Sequence, residues 1–148
     1  MSDAETPAVQ VERLLPASPG VVYDEWLDPE SLSDWMCPRP AKATHIELDP
    51  TIGGRLRIEI EEDGLPFTVS GCYVELDRPR LVSFTWSCST WPDPRVESLV
   101  TVTFEPRGDN ETFMTIHHAL LPPDLIERHQ SGWDHIAEQL EVELATDR

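Results

Sequence analysis

The sequence predicts an α+β fold in which one curved antiparallel sheet of six to seven strands wraps on a long C-terminal helix. Three observations predict it. Between Ala43 and His118 apolar residues recur with period two, in runs broken by turn residues such as Asp63-Gly64 and Gly108-Asp109-Asn110. After Pro122-Pro123 the pattern becomes helical, with Ile126, His129, Trp133, Ile136, Leu140 and Leu144 at steps of three or four. The only other helical patterns are two short ones that follow the first strand, so helices sit at the ends of the chain and strands in the middle.

In order, Pro7 to Leu15 alternates loosely, with Val9, Val11 and Arg13 set against Gln10, Glu12 and Leu14, as a first strand does. Ser18-Pro19 is a helix start, a serine N-cap before a proline at the first helical position. Val22 and Trp26 then share one face of a helix, and Asp28-Pro29 ends it because the residue before proline is pushed out of the α region. Leu32, Trp35 and Met36 mark a second short helix, closed by Pro38 and Pro40. Leu56, Ile58 and Ile60 alternate with Arg57, Glu59 and Glu61 before the Asp63-Gly64 hairpin turn, where both residues tolerate positive φ. Val69, Gly71 and Tyr73 take the inner face of the next strand, and Asp77-Arg78-Pro79 turns the chain back. Val82, Phe84, Trp86 and Cys88 face one way in the following strand; Val100, Val102 and Phe104, then Met114, Ile116 and His118, repeat the alternation. The last helix is expected over about Asp124 to Leu144, with Asp124 and Glu127 near its start, where negative charge suits the helix dipole. There is no repeat and no composition shift, so residues 1–148 read as one domain with a core from about 9 to 145.

Eleven Lys and Arg against 28 Asp and Glu give a formal charge of −17. Such a surface repels phosphates and anionic membranes, which argues against nucleic acid as a partner. No stretch reaches the ~18 apolar residues of a membrane span. The acidic start, Met1 to Pro7, has neither the basic end nor the apolar run of a signal peptide, so a cytoplasmic location is expected. Cys37, Cys72 and Cys88 are odd in number and irregular in spacing; they read as reduced, mostly buried residues rather than as a disulfide or metal framework.

Several segments carry a family resemblance. Val21 to Glu30 with Trp35 resembles the first helices of the heat-shock protein 90 ATPase activator homologue-like branch of the START-like (SRPBCC, helix-grip) superfamily. Asp49-Pro50-Thr51-Ile52-Gly53-Gly54 is similar to that branch's Asp-x-x-Val-Gly-Gly turn. Gly71-x-Tyr73-x-Glu75-Leu76 and Arg78-Pro79-x-Leu81-Val82-x-Phe84-Thr85-Trp86 resemble its central hairpin, and Gly132-Trp133 its Gly-Trp pair. The likeness runs from about Val9 to Leu144 and implies the helix-grip fold. Its functional implications are broader: the family includes a co-chaperone domain and small proteins that hold apolar ligands. The Asn- and Trp-rich motif of the separate N-terminal domain in full-length activators does not occur here.

A sheet curled round a helix encloses a space lined by the inward side chains of both. Tyr73, Phe84, Trp86, Met114, Ile116, His118 and Trp133 are the candidate ligand-binding residues, with Tyr73 and His118 as the polar groups and Glu75, of the same parity as Tyr73, as a third unless it reaches water at the strand end. The bland reading of the same residues is a core filled to normal density. Gly132 inside the long helix costs about 1 kcal/mol relative to alanine, which calls for a reason: room for a ligand or close helix–sheet packing. His117 and His118 point to opposite faces of a strand, and His129 and His135 are turned away from each other on the helix, so no metal site is expected. There is no Gly-x-Ser-x-Gly elbow, phosphate loop or HExxH, and thus no expected cofactor; Glu59, Glu61, Glu62 and Asp63 form a solvated rim. Three functions follow: binding of an apolar or aromatic small molecule in the cavity, a co-chaperone-type interaction module whose partner is a chaperone, and, more weakly, a cyclase- or hydrolase-type enzyme using His118 and Tyr73 as acid and base.

Overall fold

A computed structural model describes residues 8–146. Its elements run β1 (Val9–Leu15), α1 (Pro19–Trp26), α2 (Pro29–Trp35), β2 (Lys42–Leu48), β3 (Arg55–Glu62), β4 (Leu65–Asp77), β5 (Leu81–Cys88), β6 (Ser98–Arg107), β7 (Glu111–Ala119) and α3 (Ile126–Thr146). The seven strands form one sheet in the order β1-β7-β6-β5-β4-β3-β2, with every neighbouring pair antiparallel. The helix-grip arrangement read from the sequence is therefore the fold. Pro7, placed at the start of the first strand by the sequence pattern, lies outside the described residues.

The period-two runs decide which face of the sheet is buried. Leu56, Ile58 and Ile60 of β3 point inward, as do Phe84, Trp86 and Cys88 of β5, Val100, Val102 and Phe104 of β6, and Met114, Ile116 and His118 of β7. Trp133, Ile136, Ala137, Leu140 and Leu144 of α3 cover that face. At roughly 1.5–3 kcal/mol for each large apolar side chain, this shared burial is what holds helix to sheet.

Polar clamps fix the helices in position. Gln139 of α3 donates through Nε2 to the carbonyls of Trp35 (3.0 Å) and Cys37 (2.7 Å) and accepts from the Arg39 amide (3.0 Å). That locks the exit of α2 onto α3. Thr112 in β7 donates to the Ala17 carbonyl at 2.7 Å, which ties the entry of α1 to the sheet. Arg78, in the β4–β5 turn, grips Asp24 of α1 with two bonds of 2.9 Å, and this guanidinium holds the Asp24 carboxyl below its ordinary range.

Local details depart from the sequence reading in four places. Ser18 precedes α1 in extended backbone, but its side chain makes no capping bond. Asp28 does more than end that helix: its carboxylate accepts from the Glu30 amide and caps α2. The C-terminal helix starts through a 3₁₀ turn at Pro123–Leu125, so its α-helical part begins two residues later than expected. In β4 the pairing with β5 shifts between Tyr73 and Glu75. Such a bulge adds one residue to the strand and reverses the parity beyond it. Glu75 therefore stands opposite Ser83 and is exposed, not a polar group of the interior. The Asp63-Gly64 turn is as read, with φ of 54° and 78°. Gly54 closes the β2–β3 turn where a Cβ would lie 2.1 Å from the Asp49 carbonyl oxygen, so only glycine fits.

Candidate ligand site

All seven candidate residues are buried. Five form a continuous chain of ring contacts. Tyr73 meets Phe84 edge-on at 6.2 Å, Phe84 meets Trp86 at 6.2 Å, and Trp86 meets both Trp133 at 5.3 Å and His118 at 5.8 Å. Edge-on and tilted pairs at these distances suit the ring quadrupoles, so the chain is cohesive as well as apolar. Met114 and Ile116 are fully buried on the same inward face of β7 as His118, where the strand is paired on both sides by β1 and β6.

Sequence reasoning missed two members. Trp26 of α1 stacks on Trp133 at 6.1 Å and also touches Phe84, at 6.4 Å. His129 of α3 lies edge-on to His118 at 5.2 Å and to Trp91 at 5.9 Å. The alternation of β7 does put His118 inside, and the α3 stripe includes His129. Only the path of the chain from β7 into α3 brings the two rings together.

His118 is held by a directed chain of hydrogen bonds across four elements. Ser98 of β6 gives its proton to the Trp86 carbonyl at 2.7 Å. Its oxygen is then the acceptor for His118 Nε2–H, 2.7 Å away. Trp133 Nε1–H donates to His118 Nδ1 at 2.9 Å. One tautomer satisfies all three bonds: neutral imidazole with its proton on Nε2. Burial, and then the neighbouring His129 and His117, lower the His118 pKa to about 3, so the ring is neutral at physiological pH. His129 donates from Nδ1 to the Leu125 carbonyl at 2.9 Å, and burial likewise lowers its pKa. Burial raises the Tyr73 hydroxyl pKa, so that group stays protonated. With both ring nitrogens of His118 engaged by Ser98 and Trp133, neither is directed at Tyr73 as an acid–base pair requires. Among the described residues no cluster of three or more metal-ligating side chains occurs.

None of the seven candidates lines either of two surface hollows among the described residues. One, about 650 Å³, lies on the outer face of β3 to β5 beside Arg55, Cys72 and Arg95. The other, about 580 Å³, runs along α3 beside Arg13, Gln130 and His135. Inside, the aromatic side chains touch one another. Gly132 is half-buried beside Trp133, and a Cβ added to it would meet no atom within 4 Å. Close helix–sheet packing is therefore not the reason for this glycine.

An open antiparallel sheet gripping a C-terminal helix over an aromatic interior defines the START-like class. The comparisons then narrow it. Residues 16–145 match the family model of the Activator of Hsp90 ATPase homolog 1-like proteins, and the chain belongs to that family. It is similar to protein CV1439 from Chromobacterium violaceum, with 22% identity over 93% of this chain and 97% of that one and a TM-score of 0.82. The AHSA1 protein SPO3351 from Silicibacter pomeroyi is 25% identical over 96% of this chain and all of its own, at a TM-score of 0.80. An HSP90 activator from Plasmodium falciparum, PFC0360w, is 21% identical over 93% and 96% of the two chains, at a TM-score of 0.76. No curated protein matches the sequence. Among the described residues no helix is long and apolar enough to cross a membrane. Fold and family support a ligand-binding or co-chaperone-like role.

Proposed function

We propose that the protein binds an apolar or aromatic small molecule between its sheet and C-terminal helix, in a carrier or sequestering role, with Tyr73, Phe84, Trp86, His118 and Trp133 lining the site and Met114 and Ile116 forming its floor. The observation that carries this reading is Gly132. A helix keeps its least favourable residue short of proline, half-buried beside the central Trp133, at a place where alanine would fit without contact. The open flank there is where a guest would reach the ring chain. Entry requires the rings to part, since they touch one another.

Naphthalene-sized probes test it by tryptophan emission and thermal shift. Binding should quench or shift emission, because Trp86 and Trp133 are in contact. At a hundredfold excess over Kd it should add about 2.7 kcal/mol of stability by mass action. Gly132→Leu should abolish both signals while the fold survives. A broad aromatic screen with neither response refutes the carrier reading.

One finding favours a second reading. The Plasmodium falciparum relative is an HSP90 activator, and its similarity spans nearly the whole chain. On that reading the protein is a co-chaperone module, and it should raise the ATPase rate of an Hsp90 chaperone in a saturable way.

A further inference from the structure

The polar accounting of the interior identifies the kind of molecule that fits it. Four buried tryptophans, Trp26 of α1, Trp35 of α2, Trp86 of β5 and Trp133 of α3, meet in one run of ring contacts. Two have satisfied indoles: Trp133 donates to His118, and Trp35 donates to Glu25 Oε1 at 3.1 Å. The other two, Trp26 and Trp86, are 3% and 7% exposed, and their Nε1–H groups have no acceptor. Both rings lie against Trp133 and Phe84, so the orphaned donors belong to one aromatic cluster.

A buried donor left unpaired costs about 1–3 kcal/mol, and most native structures avoid it. None of the buried serine, threonine and histidine side chains bonds either indole. Among the described residues, the two tyrosines Tyr23 and Tyr73 apart, the buried polar side chains are Ser83, Ser98, Thr112 and His118. Ser83 bonds Val100 and Thr101, Thr112 bonds Ala17, and Ser98 and His118 complete the chain to Trp133. Among the described residues no lysine, arginine, aspartate or glutamate is buried. An ionic guest would lose its hydration with no counter-charge to replace it.

We infer that the guest is a neutral aromatic molecule bearing a hydrogen-bond acceptor, such as a carbonyl oxygen, which takes the indole N–H of Trp26, of Trp86 or of both. This rests on the ligand-binding reading and adds the chemical class to it. Apolar area alone would admit any hydrocarbon of the right size. The unpaired donors make the acceptor the selective feature, because only a guest that carries one relieves them.

Three probes of one shape test this on the full chain: 2-acetylnaphthalene, its hydrocarbon isostere 2-isopropenylnaphthalene, and the anion 2-naphthoate. Affinity is read by calorimetry and the five indole N–H signals by nitrogen-labelled NMR, assigned by single Trp→Phe variants. The ketone should bind at least tenfold tighter than the isopropenyl compound, about 1.4 kcal/mol. It should move the Trp26 or Trp86 indole proton downfield, while Trp35 keeps its position. Trp26→Phe and Trp86→Phe together should reduce the ketone's advantage to less than threefold. Equal binding of ketone and hydrocarbon overturns the inference and leaves the ligand-binding reading standing; so does 2-naphthoate binding as tightly as the ketone. If none of the three binds, the ligand-binding reading itself fails.

Discussion

Trp133 and Trp86 touch each other, yet their surroundings differ in kind. Trp133, His118, Ser98 and the Trp86 carbonyl form a chain in which each donor has one acceptor, from α3 through β7 and β6 to β5. A few ångströms away, on the side of α1 and β5, the indoles of Trp26 and Trp86 are just as buried and have nothing to bond. The first region is complete in the folded chain alone. The second leaves two buried donors unpaired, which is where the inferred guest would bond. Buried polar networks that are fully satisfied rigidify a core, whereas partly satisfied ones mark strain or function.

Substitutions should separate the two regions. The largest expected effect is Trp133→Ala, which removes the ring at the centre of the contacts and the donor to His118. Loss of about 3–5 kcal/mol in denaturant unfolding is expected. A loss under 1 kcal/mol would mean that α3 does not rest on this ring.

Next comes pH. The folded His118 pKa, about 3, lies below the ordinary histidine value of 6.5. Between those values the unfolded chain binds the extra proton. Stability is then fully present above pH 6.5 and is lost as pH falls towards 3. From pH 6.5 down to 5, above the ordinary carboxylate range, the contribution approaches roughly 1.4 kcal/mol per pH unit. His129, also lowered by burial, adds in the same direction. His118→Phe should flatten the slope by about one proton's worth. An unchanged slope would show that the imidazole is hydrated, and the chain through it broken.

A matched pair sharpens the contrast. Trp133→Phe and Trp86→Phe both shrink a ring, but only the first strands an acceptor, His118 Nδ1. Trp133→Phe should therefore be the worse by about 1–3 kcal/mol, because Trp86→Phe removes a donor that was never paired. Equal losses in the two variants would erase the distinction between the regions.

The complete region was half legible in the sequence. Strand alternation placed Trp86 and His118 inward and helical spacing placed Trp133 on the same interior, because both rules are local. The bonds joining them were not legible: Ser98 and His118 stand 20 residues apart and meet through the pairing of β6 with β7. Parity alone left Glu75 open between the interior and water; what exposes it is a bulge, set by how β4 meets β5, with no mark in the residue order. Trp26 read as one side of a short amphipathic helix. That it stacks on Trp133 depends on how α1 and α2 are clamped against α3, a tertiary fact carried by Gln139 and Thr112.

Gly132 offers the smallest effect. Alanine there should stabilise the empty protein by up to about 1 kcal/mol, since it removes glycine's excess unfolded-state freedom and its Cβ meets no atom. The φ of Gly132 is not positive, so no backbone strain opposes the change. Were the glycine there for close packing, alanine would destabilise instead, and the denaturation midpoint would fall. If the flank is the way in, Gly132→Ala should raise the midpoint while leaving probe affinity within a few-fold. Gly132→Leu, whose longer chain reaches across the same space, should cost affinity with little loss of stability. Stability that rises while binding falls, as the side chain at one position grows, is the pattern of an entrance rather than of a packing site.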